Sequence, residues 1–157
     1  MKHLHRLFLA ACIALSAGAL SAQVVNKPTV GLELAKKIAA KAEAEATKMK
    51  LTVVVAIVDD GVNLVYLSKM DGTQLGSIDV AQLKAKTALR FKRPSKAFEE
   101  ALVAGRNAIL SLPDVVPIEG GIPITINGAI VGAIGISGAK STEDTTIAEA
   151  ALTALQP

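Results

Sequence analysis

Three carboxylates and a handful of polar, soft or flexible residues hold most of the chemistry this chain can offer. Asp71, Glu119 and Asp144 are candidates for acid–base catalysis or for holding a hard cation, because a carboxylate supplies both a titratable proton and oxygen lone pairs. Lys69, Met70 and Asp71 stand together where a strand runs out into a loop, a usual position for site residues, although Asp71-Gly72 serves equally well as a plain turn. Tyr66 shares that strand. Gly120 and Gly121, just before Pro123, let backbone approach either a ligand or a crowded neighbouring strand. Ser137, Gly138 and Lys140 lead into a helix start at Ser141, where free amides and a cation make a favourable anion site. Capping by Ser141 alone accounts for the same pattern. The stretch Gly135 to Thr142 fails as a phosphate loop, since Ala139 separates Gly138 from Lys140.

The residue types that are missing narrow the chemistry further. Both histidines, His3 and His5, and the single cysteine, Cys12, fall in the first twelve residues. Met1 to Arg6 carries Lys2 and Arg6, Leu7 to Leu20 is an apolar run, and Ser21-Ala22 precedes Gln23, the three-part layout of a signal peptide. The expected organisation is a signal peptide over 1–22, a short segment over 23–28 and a single domain over 29–157. The apolar run holds about fourteen residues where a membrane-spanning helix needs about 20, so no span is expected after cleavage. A chain beginning at Gln23 would hold no imidazole and no thiol. Ser-His-Asp and Cys-His catalysis, and zinc or iron sites built on those ligands, would then be excluded. The expected location is the periplasm or the medium, with no disulfide framework to help stability.

Charge argues against nucleic acid. Seventeen basic residues face fourteen acidic ones, and loss of Lys2 and Arg6 with the signal brings the two nearly into balance. Only Tyr66, Phe91 and Phe98 would remain as aromatics, too few for base stacking along a basic face. Lys36, Lys37, Lys41, Lys48 and Lys50 read as the solvated side of the first helix.

The elements that must position these residues follow from periodicity. Leu32, Leu34, Ala35, Ile38, Ala39, Ala42 and Ala46 form the apolar stripe of a helix from about Thr29 to Lys50. Leu51 to Val58 is β-branched and almost wholly apolar, which predicts a strand buried on both faces. Asp59-Asp60-Gly61 turns the chain into a second strand over Val62 to Met70. Ser77 is expected to cap a helix through Phe91 with Val80, Ala81, Ala85, Ala88 and Leu89 inward, stopped by Pro94, and Ser95 to cap another over Lys96 to Ala104. Gly105 to Glu119, with Pro113 and Pro117, is expected to be irregular. Ile122 to Ile126, Asn127-Gly128 and Ala129 to Ile136 form the clearest hairpin. Ser141-Thr142-Glu143-Asp144 opens a last helix with Ile147, Ala148, Ala151, Leu152 and Leu155 inward. Strands joined by tight turns imply an antiparallel sheet, giving an α/β chain of the α+β kind with helices mainly on one face.

Taken together, Asp59-Asp60-Gly61, Lys69-Met70-Asp71-Gly72, Lys84-Ala85-Lys86-Thr87-Ala88 with Phe91, Gly120-Gly121-Ile122-Pro123-Ile124, and Val131 to Gly138 resemble the GlcG/HbpS-like family, also called the haem-degrading domain family. The likeness runs from about Thr29 to Leu155. It implies a profilin-like domain that assembles into homo-oligomers, and haem as a cofactor or ligand. It also implies that Lys69 to Gly72 border the ligand pocket. Haem binding in that family has been linked to histidine, which this chain lacks beyond its first residues, so that ligand does not carry over. Iron would have to use Met70, Tyr66, a lysine such as Lys69, a hydroxyl, or no strong protein ligand. Tyr66 and Met70, four residues apart on one strand face, lie about 13 Å apart along it, too far to hold one iron from the same side. Both residues serve equally as core packing.

The reading that results is an exported, oligomeric protein that binds haem or another small planar, carboxylate-bearing molecule. Its ligand would sit between the sheet and the second helix and meet Lys69, Lys140 or helix-start amides. The alternatives are an enzyme or accessory factor acting on a small organic acid through Asp71, Glu119 or Asp144, and an oligomeric scaffold without ligand.

Overall fold

The computed structural model describes residues 25–155, so the expected signal segment over 1–22 lies outside the described residues. Four strands form one antiparallel sheet in the order Leu64–Lys69, Val54–Asp59, Ala129–Ser137, Gly121–Ile126. The elements run α1 (Leu32–Lys48), β1 (Val54–Asp59), β2 (Leu64–Lys69), α2 (Ser77–Phe91), α3 (Lys96–Val103), β3 (Gly121–Ile126), β4 (Ala129–Ser137) and α4 (Ser141–Leu152). Short 3₁₀ turns occupy Asn107–Ser111 and Thr153–Leu155. Among the described residues no helix is long and apolar enough to cross a membrane.

The fold class is the expected one, but the helices cover both faces of the sheet and not mainly one, and β1 explains why. Val53 to Val58 are all fully buried, which requires cover on both faces of the sheet. Val53, Val55 and Ile57 pack with Ile134, Ile136, Ala35, Ile38, Ala42, Ile147 and Ala151, so α1 and α4 share one face. Val54 and Ala56 pack with Ala81, and Val58 with Ala85 and Ala88, so α2 takes the other. The side chains of α2 that meet the sheet are small. A Cβ on Gly135 of β4 would overlap the Ala81 carbonyl and come 2.6 Å from the Ala85 amide nitrogen. Helix and sheet therefore touch backbone to backbone, and the pocket expected between them is closed.

Turn chemistry sets the strand ends. The Asp59 carboxylate accepts the amides of Gly61 at 2.9 Å and Asn63 at 2.8 Å, an aspartate turn that delays β2 until Leu64. Asn127 and Gly128 both take positive φ, 50° and 78°, as a tight hairpin turn demands. α1 ends with Lys50 in the left-handed region, and the Lys50 and Leu51 amides bond back to the Thr47 and Ala46 carbonyls.

The three expected serine caps are corrected: Ser141 is the first residue of α4, one past its N-cap Lys140. Ser77 Oγ makes no bond to the start of α2 and instead lies 3.2 Å from Ser137 Oγ, across the layers. Ser95 Oγ accepts the Gly121 amide at 2.9 Å and ties the start of α3 to β3. In both cases a buried donor elsewhere in the fold outcompetes the local one, as buried polar groups require.

Candidate functional site

The strand register gathers most of the candidate residues at one end of the sheet. Lys69, Val54 and Ser137 are neighbours across β2, β1 and β4, and Gly121 pairs with Gly135 on the far side. α2 and α4 both begin at this end. The carbonyl of Met70 accepts the Thr73 hydroxyl at 2.8 Å, and the methyl of Thr73 lies against Gly138. Gly138 itself sits over the Thr52 carbonyl and the Val53 Cα, so no larger residue fits there. The exit of β2 and the exit of β4 are thus packed together. Tyr66 and Met70 are half-buried against the core on the α1 face, and Asp71 and Lys140 are exposed.

The centre of this end is an ion pair. Lys84 Nζ of α2 lies 2.7 Å from Asp144 Oδ2 of α4, each side chain 2% exposed, and the Ala139 amide donates to Asp144 Oδ1 at 3.1 Å. The two helices lie on opposite faces, so the pair reaches past the end of the sheet at Gly120. A Cβ there would lie 2.9 Å from both Lys84 Nζ and Asp144 Cβ, and the backbone holds φ at 115°, a combination that only glycine meets. Burial pushes the Asp144 carboxyl above its ordinary value, opposed by the hydrogen bond and charge of Lys84 and by the Ala139 amide.

Glu119 belongs to the same cluster. Its carboxylate is buried, lies 3.3 Å from Lys96 Nζ and accepts the Thr145 hydroxyl at 3.3 Å, while its amide donates to Glu99 Oε2 at 2.6 Å. The structure therefore brings Glu119 beside Asp144, with Gly120 between them. Asp71 stands apart on the β2–α2 loop, and among the described residues no hydrogen bond joins it to either carboxylate. Within that same set no group of three or more acidic, histidine or cysteine side chains is placed to hold a metal ion. Every buried side-chain polar atom there has a partner. Chemically, this is a satisfied network that pins two helices to a strand end, with Lys69, Asp71 and Lys140 free at its rim.

Lys84 stands in one of the motifs that carry the family resemblance, but the sequence reading gave it no role in the site. Its signal was its spacing: it falls between Ala81, Ala85 and Ala88 on the inward stripe of α2, where a lysine needs a partner. Lys140 serves α4 through its backbone amide, which donates to the Glu143 carboxylate at 3.0 Å.

Sheet, layers and buried network together define an α+β domain with a four-stranded antiparallel sheet covered on both faces. The chain belongs to the family described as haem-degrading protein HbpS-like, whose model matches residues 30–153. It is 36% identical to protein GlcG of Escherichia coli over 112 residues, covering 71% of this chain and 84% of that protein. The fold matches a double mutant of Streptomyces reticuli HbpS with a TM-score of 0.79 at 30% identity, over 86% of this chain and 92% of that one. It also matches the PduOC:heme complex with a TM-score of 0.73 at 26% identity, over 82% and 96% of the two chains.

Proposed function

We propose that this protein binds haem or a related planar anionic molecule after export, as a homo-oligomer. The observation that carries the reading is membership of the family described as haem-degrading protein HbpS-like, supported by a structural neighbour with TM-score 0.73 that is described as a haem complex. Because α2 lies directly on the sheet, the ligand docks at the rim of the sheet end and not between the layers. Lys69 and Lys140 meet its carboxylates and Met70 or Tyr66 is the iron contact, while Gly120, Gly121 and Gly138 face crowded protein neighbours and Ser137 is buried, so these four take no direct part. The organic-acid enzyme reading is weaker, since Asp144 and Lys84 are sealed from solvent and Asp71 stands away from them.

Haemin titration of the wild type and of Lys69→Glu and Lys140→Glu tests this. A saturable band in the Soret region, weakened about tenfold by either charge reversal, is the expected result. Saturable binding that ignores both variants removes the rim site, and no saturable binding removes the haem reading. Mass spectrometry of the exported protein tests the signal, with an N-terminus at Gln23 expected and retention of His3 and His5 contradicting it.

A further inference from the structure

The opposite end of the sheet holds a cleft of about 560 Å³, between the β1–β2 turn, the β3–β4 turn and the C-terminus of α2. Its size is that of a small-molecule pocket. Val62, Leu89 and Ile130 supply its apolar wall, and all three pack on the buried Val58, Ala85, Ala88 and Ala133, so that wall is anchored in the core. Val62 holds φ at 69°, a conformation a β-branched residue rarely adopts, kept by its amide bond to the Asp59 carbonyl at 3.0 Å. Strain of this kind persists where the surroundings fix it, and it collects at ligand sites.

The charges at the mouth select the ligand. Lys27, Arg90 and Lys92 line the cleft with one carboxylate, Asp60. Arg90 is already paired with Asp114 at 2.8 Å. Lys27 and Lys92 lie within ion-pair distance of no carboxylate among the described residues. Lys92 is fixed by the left-handed turn that ends α2, φ 54°, which sets its backbone at the mouth. The carbonyl end of α2 carries a partial negative charge, so an anion must bind through these lysines and not through the helix. Two cations that pair with no carboxylate among the described residues, beside an apolar wall whose lining holds one carboxylate, Asp60, fit an apolar body bearing a single carboxylate.

We infer that this cleft is a binding site for a small acyl or aromatic monocarboxylate, separate from the sheet end to which haem is assigned. The full-length protein is titrated with 2-naphthoate, whose fluorescence is easily read in a chain without tryptophan. Parallel titrations use Lys27→Glu, Lys92→Glu, the exposed α1 variant Lys41→Glu, and the uncharged analogue 2-naphthalenemethanol. The expected result is saturable binding at one probe per chain, weakened about tenfold or more by either cleft variant, unchanged in Lys41→Glu, and absent for the alcohol. Absence of saturable naphthoate binding, equal binding by all variants, or equal binding of the alcohol overturns the site. Haemin added to the naphthoate complex separates the two readings. Haemin that binds without displacing the probe supports two sites, and haemin that displaces it overturns the separation and moves the haem contact into this cleft.

Discussion

Replacing Lys84 with methionine leaves the Asp144 carboxylate buried without its cation, and the structure sets the size of the penalty. Both side chains are 2% exposed and their charged atoms are 2.7 Å apart, so water cannot take over the lost role. Breaking a buried pair from one side costs about 3–5 kcal/mol, and Asp144→Leu, a near-isostere that strands the lysine instead, should cost about as much. Replacing both at once, Lys84→Met with Asp144→Leu, removes the charge altogether and is expected to fall within about 1–2 kcal/mol of wild type. The coupling energy between the sites is then about 3 kcal/mol or more, far above what independent sites show. With a urea slope of about 2 kcal/mol per molar, either single variant lowers the midpoint by about 2 M, and the double variant restores most of it. The double variant keeps the test open even if a single variant fails to fold. Single costs that simply add in the double variant would refute the pairing and the view that this bridge holds α2 and α4 to the end of the sheet.

Asp144 also gives a pH signature. Its carboxyl is harder to ionise folded than unfolded, so its contribution to stability is complete below its ordinary value of 3.8 and declines as pH rises through the elevated folded value. The stability advantage of wild type over Asp144→Asn should shrink with rising pH in urea titrations, and an advantage that grows would mean that Lys84 outweighs burial. Gly120→Ala combines an unfavourable φ of 115° with a Cβ 2.9 Å from Lys84 Nζ and Asp144 Cβ, so a loss of about 2 kcal/mol or more is expected by chemical denaturation. A neutral Gly120→Ala would show that the strand end yields freely. Met70→Leu and Tyr66→Phe, in a haemin-bound protein, test the iron contact by absorbance, one of the two being expected to shift the spectrum, and unchanged spectra in both rejecting them.

Local signals led to the right elements, and long-range bonds decided the rest. The bounds of α2 were legible because the alanine stripe, Ser77 and Pro94 agree, and the β3–β4 hairpin because Asn127-Gly128 permits only a few turns. The burial of β1 on both faces was written in its unbroken apolar run, and α2 on the second face is its consequence. β2 begins two residues later than the alternation implied, since the Asp59 carboxylate reaches forward to Asn63. The serine hydroxyls misled for a related reason. Ser77 finds Ser137, 60 residues on, and Ser95 finds Gly121, 26 residues on, and no local pattern contains either partner.

The candidate site was legible as a set of residues and not as a network. Gly120, Gly121, Glu119, Ser137, Gly138 and Asp144 do gather at one end of the sheet. What holds them is Lys84, which joins Asp144 across 60 residues, and Thr145, which joins Glu119 across 26. A lysine on an apolar stripe announces that it needs a partner, but only the topology brings α4 within its reach. The cleft at the other end drew no attention, because Lys27, Val62, Lys92 and Ile130 come from four separate segments.

The central claim, that this member of the HbpS-like family binds haem without histidine, rests most directly on one titration. Haemin is added to the chain beginning at Gln23 and to a protein-free control, and absorbance in the Soret region is followed to saturation. A shifted, saturable band at about one haem per chain or per dimer is the result expected, because a protein site holds haem in fixed stoichiometry through its iron ligand and the side chains that meet its carboxylates. A weak change that never saturates would contradict the claim and leave the family fold here without the haem function.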